Sequence, residues 1–177
     1  MITSVDLQIL HYIEENLHHA FLDVIFPWIT SLSDHGEIWI GIAVILIFTK
    51  KYRKAGMAML LALFAGFLLG NCLMKPWIGR IRPFDLDISL NPLISPPSDF
   101  SFPSGHTMHS FSTSFALFLN NRKMGIPALI LASLIALSRL YLLVHYPSDV
   151  IGGALLGLLM GYGSVKLVDA IDKRIKR

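Results

Sequence analysis

The chain has 177 residues, of which 54% are hydrophobic and 15% charged, and its mean hydropathy is +0.60. Because soluble domains average about 25% charged residues, this composition excludes a disordered chain, a coiled coil and an ordinary soluble domain. The net charge of +3 is too small to indicate nucleic acid as a partner.

Apolar runs approach the roughly 20 residues that a helix needs to cross a bilayer, which predicts one membrane domain over residues 1–177. The first predicted helix, 3–17, has Ser4 as its N-cap. It carries apolar residues at three- and four-residue spacing with carboxylates opposite, which is typical of an interfacial amphipathic helix. Six transmembrane helices are predicted to follow, over 20–33, 37–49, 55–74, 106–119, 125–144 and 148–168. The predicted fold class is therefore an all-α polytopic membrane protein.

Basic residues predict the orientation of these helices. With six crossings, the clusters at 50–54, 122–123 and 173–177 fall on one side together with both termini. The tendency of basic loops to remain inside makes that side cytoplasmic. The opposite side then receives the turn at 34–36, the polar loop at 75–105 and the break at 145–147.

Four basic residues lie toward the outer side, against this tendency: Lys75, Arg80, Arg82 and Arg139. An ionisable group at membrane depth indicates a function. Pro76 is expected to break or restart the helix just after Lys75, and a bend there would bring Lys75 and Arg82 together around an anion with several oxygens, such as phosphate. The alternative is that these side chains reach lipid headgroups, which is the favoured interpretation for Arg80.

A second group, Pro103-Ser104-Gly105-His106, stands at the head of a predicted helix. Ser104 can cap the helix, Gly105 allows close approach of a ligand, and the free N–H groups of the first turn can bind an anion. His106 would lie at the mouth of that site, whereas the alternative is an ordinary N-cap with an interfacial histidine. We interpret His109 as a packing residue.

A third group combines Ser138 and Arg139 with His145 and Asp149. Histidine and aspartate four residues apart lie on the same side of a helical turn, and Pro147 suits the first turn of a helix. Asp149 is expected to stay ionised there. By accepting from one imidazole nitrogen, it would leave the other nitrogen free to attack. The alternative is again an interfacial cap.

Together the three groups resemble the signature of the type 2 phosphatidic acid phosphatase superfamily. In this chain the signature consists of Lys75-x6-Arg82-Pro83, Pro103-Ser104-Gly105-His106 and Ser138-Arg139-x5-His145-x3-Asp149. It shows no departure at the signature positions. The resemblance covers residues 75–149 directly, and the helix pattern extends it to most of the chain.

The resemblance implies a phosphatase that needs no metal or other cofactor. His145 would attack phosphorus to form a phosphohistidine, Asp149 would orient it, and His106 would protonate the leaving oxygen and then activate water. The phosphate oxygens would be bound by Lys75, Arg82, Arg139, the Ser104 hydroxyl and the Gly105 N–H. A metal site built from His106, His145 and Asp149 is the alternative.

The implied substrate is a lipid phosphate whose tails stay among the membrane lipids. Undecaprenyl diphosphate is favoured over phosphatidylglycerophosphate, phosphatidic acid and lipid A phosphate. The expected location is a bacterial cytoplasmic membrane, with the site on its extracytoplasmic face. An anion channel or transporter is the alternative of another class. A haloperoxidase-like vanadate enzyme, the third alternative, is disfavoured by the hydropathy.

The last predicted span carries a stripe of small residues, Gly153, Gly157 and Gly161. Such stripes allow two helices to approach closely. We interpret this one as packing within the chain, and a homodimer contact is the alternative.

Overall fold

The computed structural model describes the backbone of residues 2–175 and the side chains of residues 3–175. The end of the predicted basic tail, Lys176 and Arg177, lies outside the described residues. The all-α prediction is confirmed, since every regular element in the described range is helical. The elements are α1 Ile2–Leu17, α2 Ala20–Ser31, α3 Glu37–Phe48, α4 Arg53–Gly66, a π-helical segment Phe67–Met74, α5 Lys75–Ile78, α6 Pro83–Leu86, α7 Gly105–Asn120, α8 Arg122–Tyr141 and α9 Pro147–Ile175.

Helix α7 forms the centre of the bundle, where it packs against α4, α8 and α9. Much of its buried surface is small and hydroxylated. These hydroxyls are satisfied locally: Ser112 and Thr113 donate to the carbonyl of His109, at 3.0 and 2.8 Å. The indole of Trp39 on α3, fully buried, donates to Ser110 Oγ at 3.0 Å. Small side chains on α7 therefore let the surrounding helices approach without leaving polar groups unpaired.

The glycine stripe of α9 is buried against α7. A Cβ atom on Gly153, Gly157 or Gly161 would come within 2.6 to 2.8 Å of a carbonyl oxygen of α7. The stripe therefore packs inside the chain against α7, and a homodimer contact through these glycines stays a prediction.

Replacing Gly157 by alanine is expected to destabilise the protein by about 1–3 kcal/mol, the usual cost of overpacking. Its new Cβ would lie 2.6 Å from the Met108 carbonyl oxygen, and backbone cannot move aside cheaply. Gly163 on the same helix has nothing within 4 Å, so Gly163→Ala is the matched control and is expected to be neutral or stabilising. Thermal unfolding in detergent measures both, and equal melting temperatures would contradict this packing.

The helical stretch formed by α4, the π-helical segment and α5 ends differently from the prediction. Pro76 does not break the helix; α-helical structure restarts at Lys75, directly after the π-helical segment. The N–H of Lys75 donates to the Gly70 carbonyl in the wide π pattern. Pro76 then lies in the first turn of α5, where a missing N–H is tolerated. The helix ends instead at Gly79, whose φ of +63° suits glycine.

Three helical stretches in the described range are long and apolar enough to cross a membrane: Arg53–Leu86, Arg122–Tyr141 and Pro147–Ile175. Two shorter apolar helices are α2 and α3. The predicted six crossings are not confirmed, and α2 is the reason. Near its start, Asp23 accepts from the hydroxyl of Tyr141 at 2.5 Å, and near its end Thr30 Oγ1 accepts from Arg139 at 2.6 Å. Because Tyr141 and Arg139 lie two residues apart on α8, α2 runs across one end of the bundle.

The predicted placement of both chain ends on one side is not confirmed. Asp6 of α1 accepts from Arg80 at 2.8 Å, at the end of the bundle where α5 finishes. Near the other end of the chain, Asp172 of α9 is 2.6 Å from Lys54, which opens α4 at the opposite end of the bundle. In the described range, α1 and the end of α9 therefore lie at opposite ends of the helical bundle. The traversing segments are α3, the α4–α5 stretch, α7, α8 and α9.

Candidate active site

All the signature residues collect at the end of the bundle that carries α1 and α2. Lys75 begins α5 and Arg82 precedes α6, while Ser104, Gly105 and His106 open α7. Arg139 is near the end of α8, His145 lies in the α8–α9 connection, and Asp149 is in the first turn of α9. Most of them are deeply buried, including Lys75, Arg82, Arg139, His145 and Asp149. The predicted convergence of the three groups is therefore present in the structure.

His145 and Asp149 form the centre of this site. The Nδ1 atom of His145 is 3.4 Å from Asp149 Oδ2. That oxygen also accepts from the Ser101 hydroxyl at 2.5 Å and the Tyr146 N–H at 3.0 Å. The connection turns back at Leu143, whose φ is 59°, a backbone angle uncommon for a residue with a side chain. The aspartate is thus held by several donors and faces one side of the imidazole.

The opposite side of the imidazole faces a cation. His145 Nε2 lies 3.4 Å from Arg82 Nη1, which also donates to the Val144 carbonyl at 2.7 Å. Burial, followed by the positive charges of Arg82 and Arg139, lowers the pKa of His145 well below its ordinary value. The imidazole is therefore neutral near pH 7, as a nucleophile must be.

A carboxylate bridges the first two signature cations. Asp99 contacts Lys75 Nζ through one oxygen and Arg82 Nη2 through the other, the latter at 2.5 Å. Arg82 Nε also donates to the Asp99 carbonyl at 2.7 Å. Burial alone would raise the pKa of Asp99, but the hydrogen bonds and charges of the two cations lower it to about 2. The two cations can therefore bind an oxyanion between them.

The head of α7 completes the same surface. A Cβ on Gly105 would lie 4.0 Å from Lys75 Nζ, so the backbone there is close to that ammonium group. Ser104 is the N-cap residue, but the predicted side-chain cap is wrong: its hydroxyl is 3.0 Å from the Thr107 hydroxyl and caps no N–H. His106 Nε2 is 3.1 Å from Asp34 Oδ1. That hydrogen bond is the main cause of the lowered pKa of Asp34.

Arg139 has unused donor capacity. Its Nη1 donates to Thr30 Oγ1 at 2.6 Å, while its buried Nε atom has no hydrogen-bond partner among the described residues. Arg139 lines a cavity of about 620 Å³ together with Thr30 and Asp34. Its charge also influences the pKa of both Asp34 and His145. A guanidinium group in this position can supply donors to an anion.

Arg80 is placed differently from the sequence interpretation. Its guanidinium group is paired with carboxylates within the protein. It donates to Asp149 Oδ1 at 2.5 Å and lies over the Tyr146 ring, 3.9 Å from its centroid. Arg80, one of the four basic residues predicted on the outer side, is therefore bound to Asp149.

Sequence reasoning missed three polar partners, Asp34, Asp99 and Ser101. Asp99 and Ser101 come just before the Pro103 motif in the polar loop, which is the one signal that could have pointed to them. Asp34 lies in a turn and carries no such signal. His109 lines a largely apolar cavity of about 450 Å³, which is also bordered by Asp34.

A metal at this site was the alternative to direct binding by cations. Among residues 2–175, no set of three or more histidine, cysteine, aspartate or glutamate side chains has an arrangement that could hold a metal ion. His106 faces Asp34, whereas His145 and Asp149 face each other and contact Arg82 and Arg80 with their other atoms. The donor set present is thus suited to an oxyanion.

Comparisons with known proteins agree with this geometry. Residues 51–173 match the model of the PAP2 superfamily. An undecaprenyl-diphosphatase of Sulfolobus acidocaldarius is 35% identical over 142 residues, which cover 77% of this chain and 67% of that protein. Phosphatidylglycerophosphatase B of Bacillus subtilis is 40% identical over 139 residues, covering 71% of this chain and 63% of that protein. The chain thus spans about two thirds of the length of these two relatives.

One solved structure extends the likeness to nearly the whole chain. It is the crystal structure of a transmembrane PAP2 type phosphatidylglycerolphosphate phosphatase from Bacillus subtilis. Its TM-score is 0.79 at 31% identity, and the match covers 99% of this chain and 88% of that one.

Proposed function

This chain belongs to the PAP2 superfamily, and we propose that it hydrolyses undecaprenyl diphosphate to undecaprenyl phosphate and inorganic phosphate. The observation that carries the proposal is the convergence of Lys75, Arg82 and Arg139 on the buried His145–Asp149 pair. These cations are suited to the oxygens of a phosphoryl group in transfer, where catalysis consists mainly of positioning and charge stabilisation.

The reaction would begin with attack by His145. With its proton on Nδ1, facing Asp149, the lone pair of Nε2 points toward Arg82 and the phosphate position. A P–N bond forms as the bond from phosphorus to the bridging oxygen breaks, and His106 donates a proton to that oxygen. In the second step His106 takes a proton from water, the resulting hydroxide attacks phosphorus, and the P–N bond breaks to release phosphate.

Before this attack the substrate must replace Asp99. The carboxylate of Asp99 lies between Lys75 and Arg82, where the terminal phosphate would bind. A phosphate carries more oxygens and more charge than a carboxylate, and about half of the Asp99 side chain is exposed. Asp99 can therefore move toward water as the phosphate enters.

Replacing Asp99 by asparagine is expected to lower KM by up to about fivefold, because an ion pair half open to water contributes at most about 1 kcal/mol. The amide keeps the shape but no longer competes as an anion for the two cations. KM for the lipid and the inhibition constant of orthovanadate measure this effect. Asp85→Asn, an exposed change in the same loop, is the control, and a rise in KM for Asp99→Asn would contradict the expected competition.

The charge distribution supports an extracytoplasmic site. Lys54 of the 50–54 cluster pairs with Asp172, at the end of the bundle opposite to His145. Basic residues favour the cytoplasmic side, so we place His145 at the outer face of a bacterial cytoplasmic membrane. In this arrangement five segments cross the bilayer, and α1 and α2 lie at the outer interface.

An apolar groove supports a lipid substrate. The cavity of about 450 Å³ lies between α3 and the α4 stretch and is lined by Leu60, Leu63, Phe64 and Phe67. Asp34, which holds His106, lies at one end of it. A prenyl chain can occupy this groove while its diphosphate reaches His145.

The test is phosphate release by the purified protein in detergent. Undecaprenyl diphosphate, phosphatidylglycerophosphate, phosphatidic acid and a lipid A phosphate would be compared, with the His145→Ala variant as the background. We expect the highest kcat/KM for undecaprenyl diphosphate. A higher value for another lipid would change the substrate, and equal rates with His145→Ala would overturn the phosphatase function itself.

A further inference from the structure

A second charged cluster lies behind the His145–Asp149 pair, away from the phosphate position. Arg80 donates from Nη1 to Asp149 Oδ1 at 2.5 Å and from Nη2 to Asp6 Oδ2 at 2.8 Å. Its Nη1 also donates to Ser148 Oγ at 2.7 Å. One guanidinium group therefore joins the aspartate of the site to an aspartate on α1.

Asp6 is almost wholly buried, with 4% of its surface exposed. Both carboxylate oxygens of Asp6 accept hydrogen bonds from Ser148. The backbone N–H of Ser148 donates to Oδ1 at 3.1 Å, and its hydroxyl donates to Oδ2 at 2.5 Å. Burying a carboxylate is costly unless it is paired and hydrogen-bonded, and Arg80 and Ser148 supply those partners. Asp6 also lies outside the 51–173 region that matches the family model.

We propose that Asp6 is a positioning residue for the phosphatase reaction, which acts through Arg80 to keep the Asp149 carboxylate directed at His145. The inference rests on the proposed function. Arg80 is held between two carboxylates and against the Tyr146 ring, so its Nη1 meets Asp149 Oδ1 at a defined position. That contact, with Ser101 on the other oxygen, determines how the carboxylate faces Nδ1 of His145.

Loss of the Asp6 charge would remove the carboxylate that holds Nη2 of Arg80. Arg80 is partly exposed, so its guanidinium can turn toward water once Nη2 has no carboxylate partner. Asp149 would then lose a defined donor and could rotate away from His145. A misplacement of about 1 Å can cost roughly a hundredfold in rate.

The docking of α1 does not depend on Asp6 alone. Leu10 and Ile13 of α1 pack with Tyr141, Leu143 and Tyr146 in a buried apolar cluster. An isosteric Asp6→Asn change is therefore expected to leave α1 in place. The two roles of α1, docking and positioning, can be separated.

The experiment compares kcat and KM of the wild type, Asp6→Asn and Glu15→Gln for undecaprenyl diphosphate. Glu15→Gln removes the same charge from an exposed position on the same helix and is the matched control. We expect Asp6→Asn to lower kcat about tenfold to a hundredfold with KM within about twofold, because the phosphate-binding cations are unchanged. A wild-type kcat in Asp6→Asn would overturn the inference.

A double-variant cycle with Arg80→Gln separates positioning from general weakening. If Asp6 acts through Arg80, the double variant has the kcat of Arg80→Gln alone, whereas additive losses would overturn the proposal. If Asp6→Asn does not fold, Arg80→Gln alone tests the linkage between Asp6 and Asp149, and wild-type kcat in that variant overturns the inference. A wild type that releases no phosphate from any lipid refutes the proposed function and this inference together. An active wild type with an equally active Asp6→Asn refutes this inference alone.

Discussion

Replacement of His145 by alanine is expected to reduce phosphate release by at least about 10⁴-fold, since removal of a nucleophile eliminates the covalent route. No other described side chain offers a neutral nitrogen between Arg82 and Asp149. The cations would still bind the lipid phosphate, so binding is expected to persist while turnover is lost. His11→Ala, which removes a partly exposed histidine on α1, is the control and is expected to retain activity.

The same prediction has a direct chemical readout. Rapid quenching of the wild type with substrate labelled in the terminal phosphate should yield a phosphoprotein that is labile in acid and stable in alkali, as expected of a phosphorus–nitrogen bond. The His145→Ala variant should yield none. A labelled His145→Ala protein, or turnover without any phosphoprotein in the wild type, would be incompatible with the covalent mechanism.

Replacement of His106 by alanine is expected to lower the turnover of lipid substrates by about 10²–10⁴-fold, the usual contribution of a general acid or base. In the first step His106 protonates the bridging oxygen as its bond to phosphorus breaks, and in the second step it removes a proton from the attacking water. His106 lies at the head of α7 and is held by Asp34 at 3.1 Å, so it can supply that proton. Steady-state phosphate release from undecaprenyl diphosphate measures this loss.

An activated substrate distinguishes the two roles of His106. p-Nitrophenyl phosphate releases a stable phenolate, so the first step should proceed in His106→Ala, whereas activation of water in the second step should remain slow. We therefore expect a burst of about one equivalent of p-nitrophenol, followed by slow turnover and accumulated phosphoprotein. Equal losses in both steps, with no burst, would show that His106 has a different role.

The motif residues could be predicted because their chemistry and spacing are local properties. Lys75, Arg82 and His145 are costly at membrane depth, and each stands one or two residues before a proline, a residue that is typical of the first turn of a helix. If the apolar segments that flank these residues in the chain form helices of similar length, the residues come together at one end of the bundle. The prediction of an all-α membrane phosphatase therefore needed no coordinates.

Arg80 and α2 show where that reasoning fails. Whether a long basic side chain reaches lipid headgroups or a carboxylate depends on which element packs above it, and Asp6 lies 74 residues away in the chain. The hydropathy of α2 resembles that of a crossing helix, yet it lies across the end of α8 because Asp23 and Thr30 bind Tyr141 and Arg139. Hydropathy measures preference for lipid, and it does not specify the direction of a short helix.

Composition and periodicity therefore established that this chain is helical, embedded in lipid and equipped to bind phosphate, because those properties depend on the chemistry of neighbouring residues. Three features emerged from the folded arrangement alone: the position of α1 and α2 at one end of the bundle, the carboxylate of Asp99 between two cations, and the Asp6–Arg80–Asp149 linkage. Each of these depends on contacts between distant segments, whose geometry is set by how the helices pack around α7.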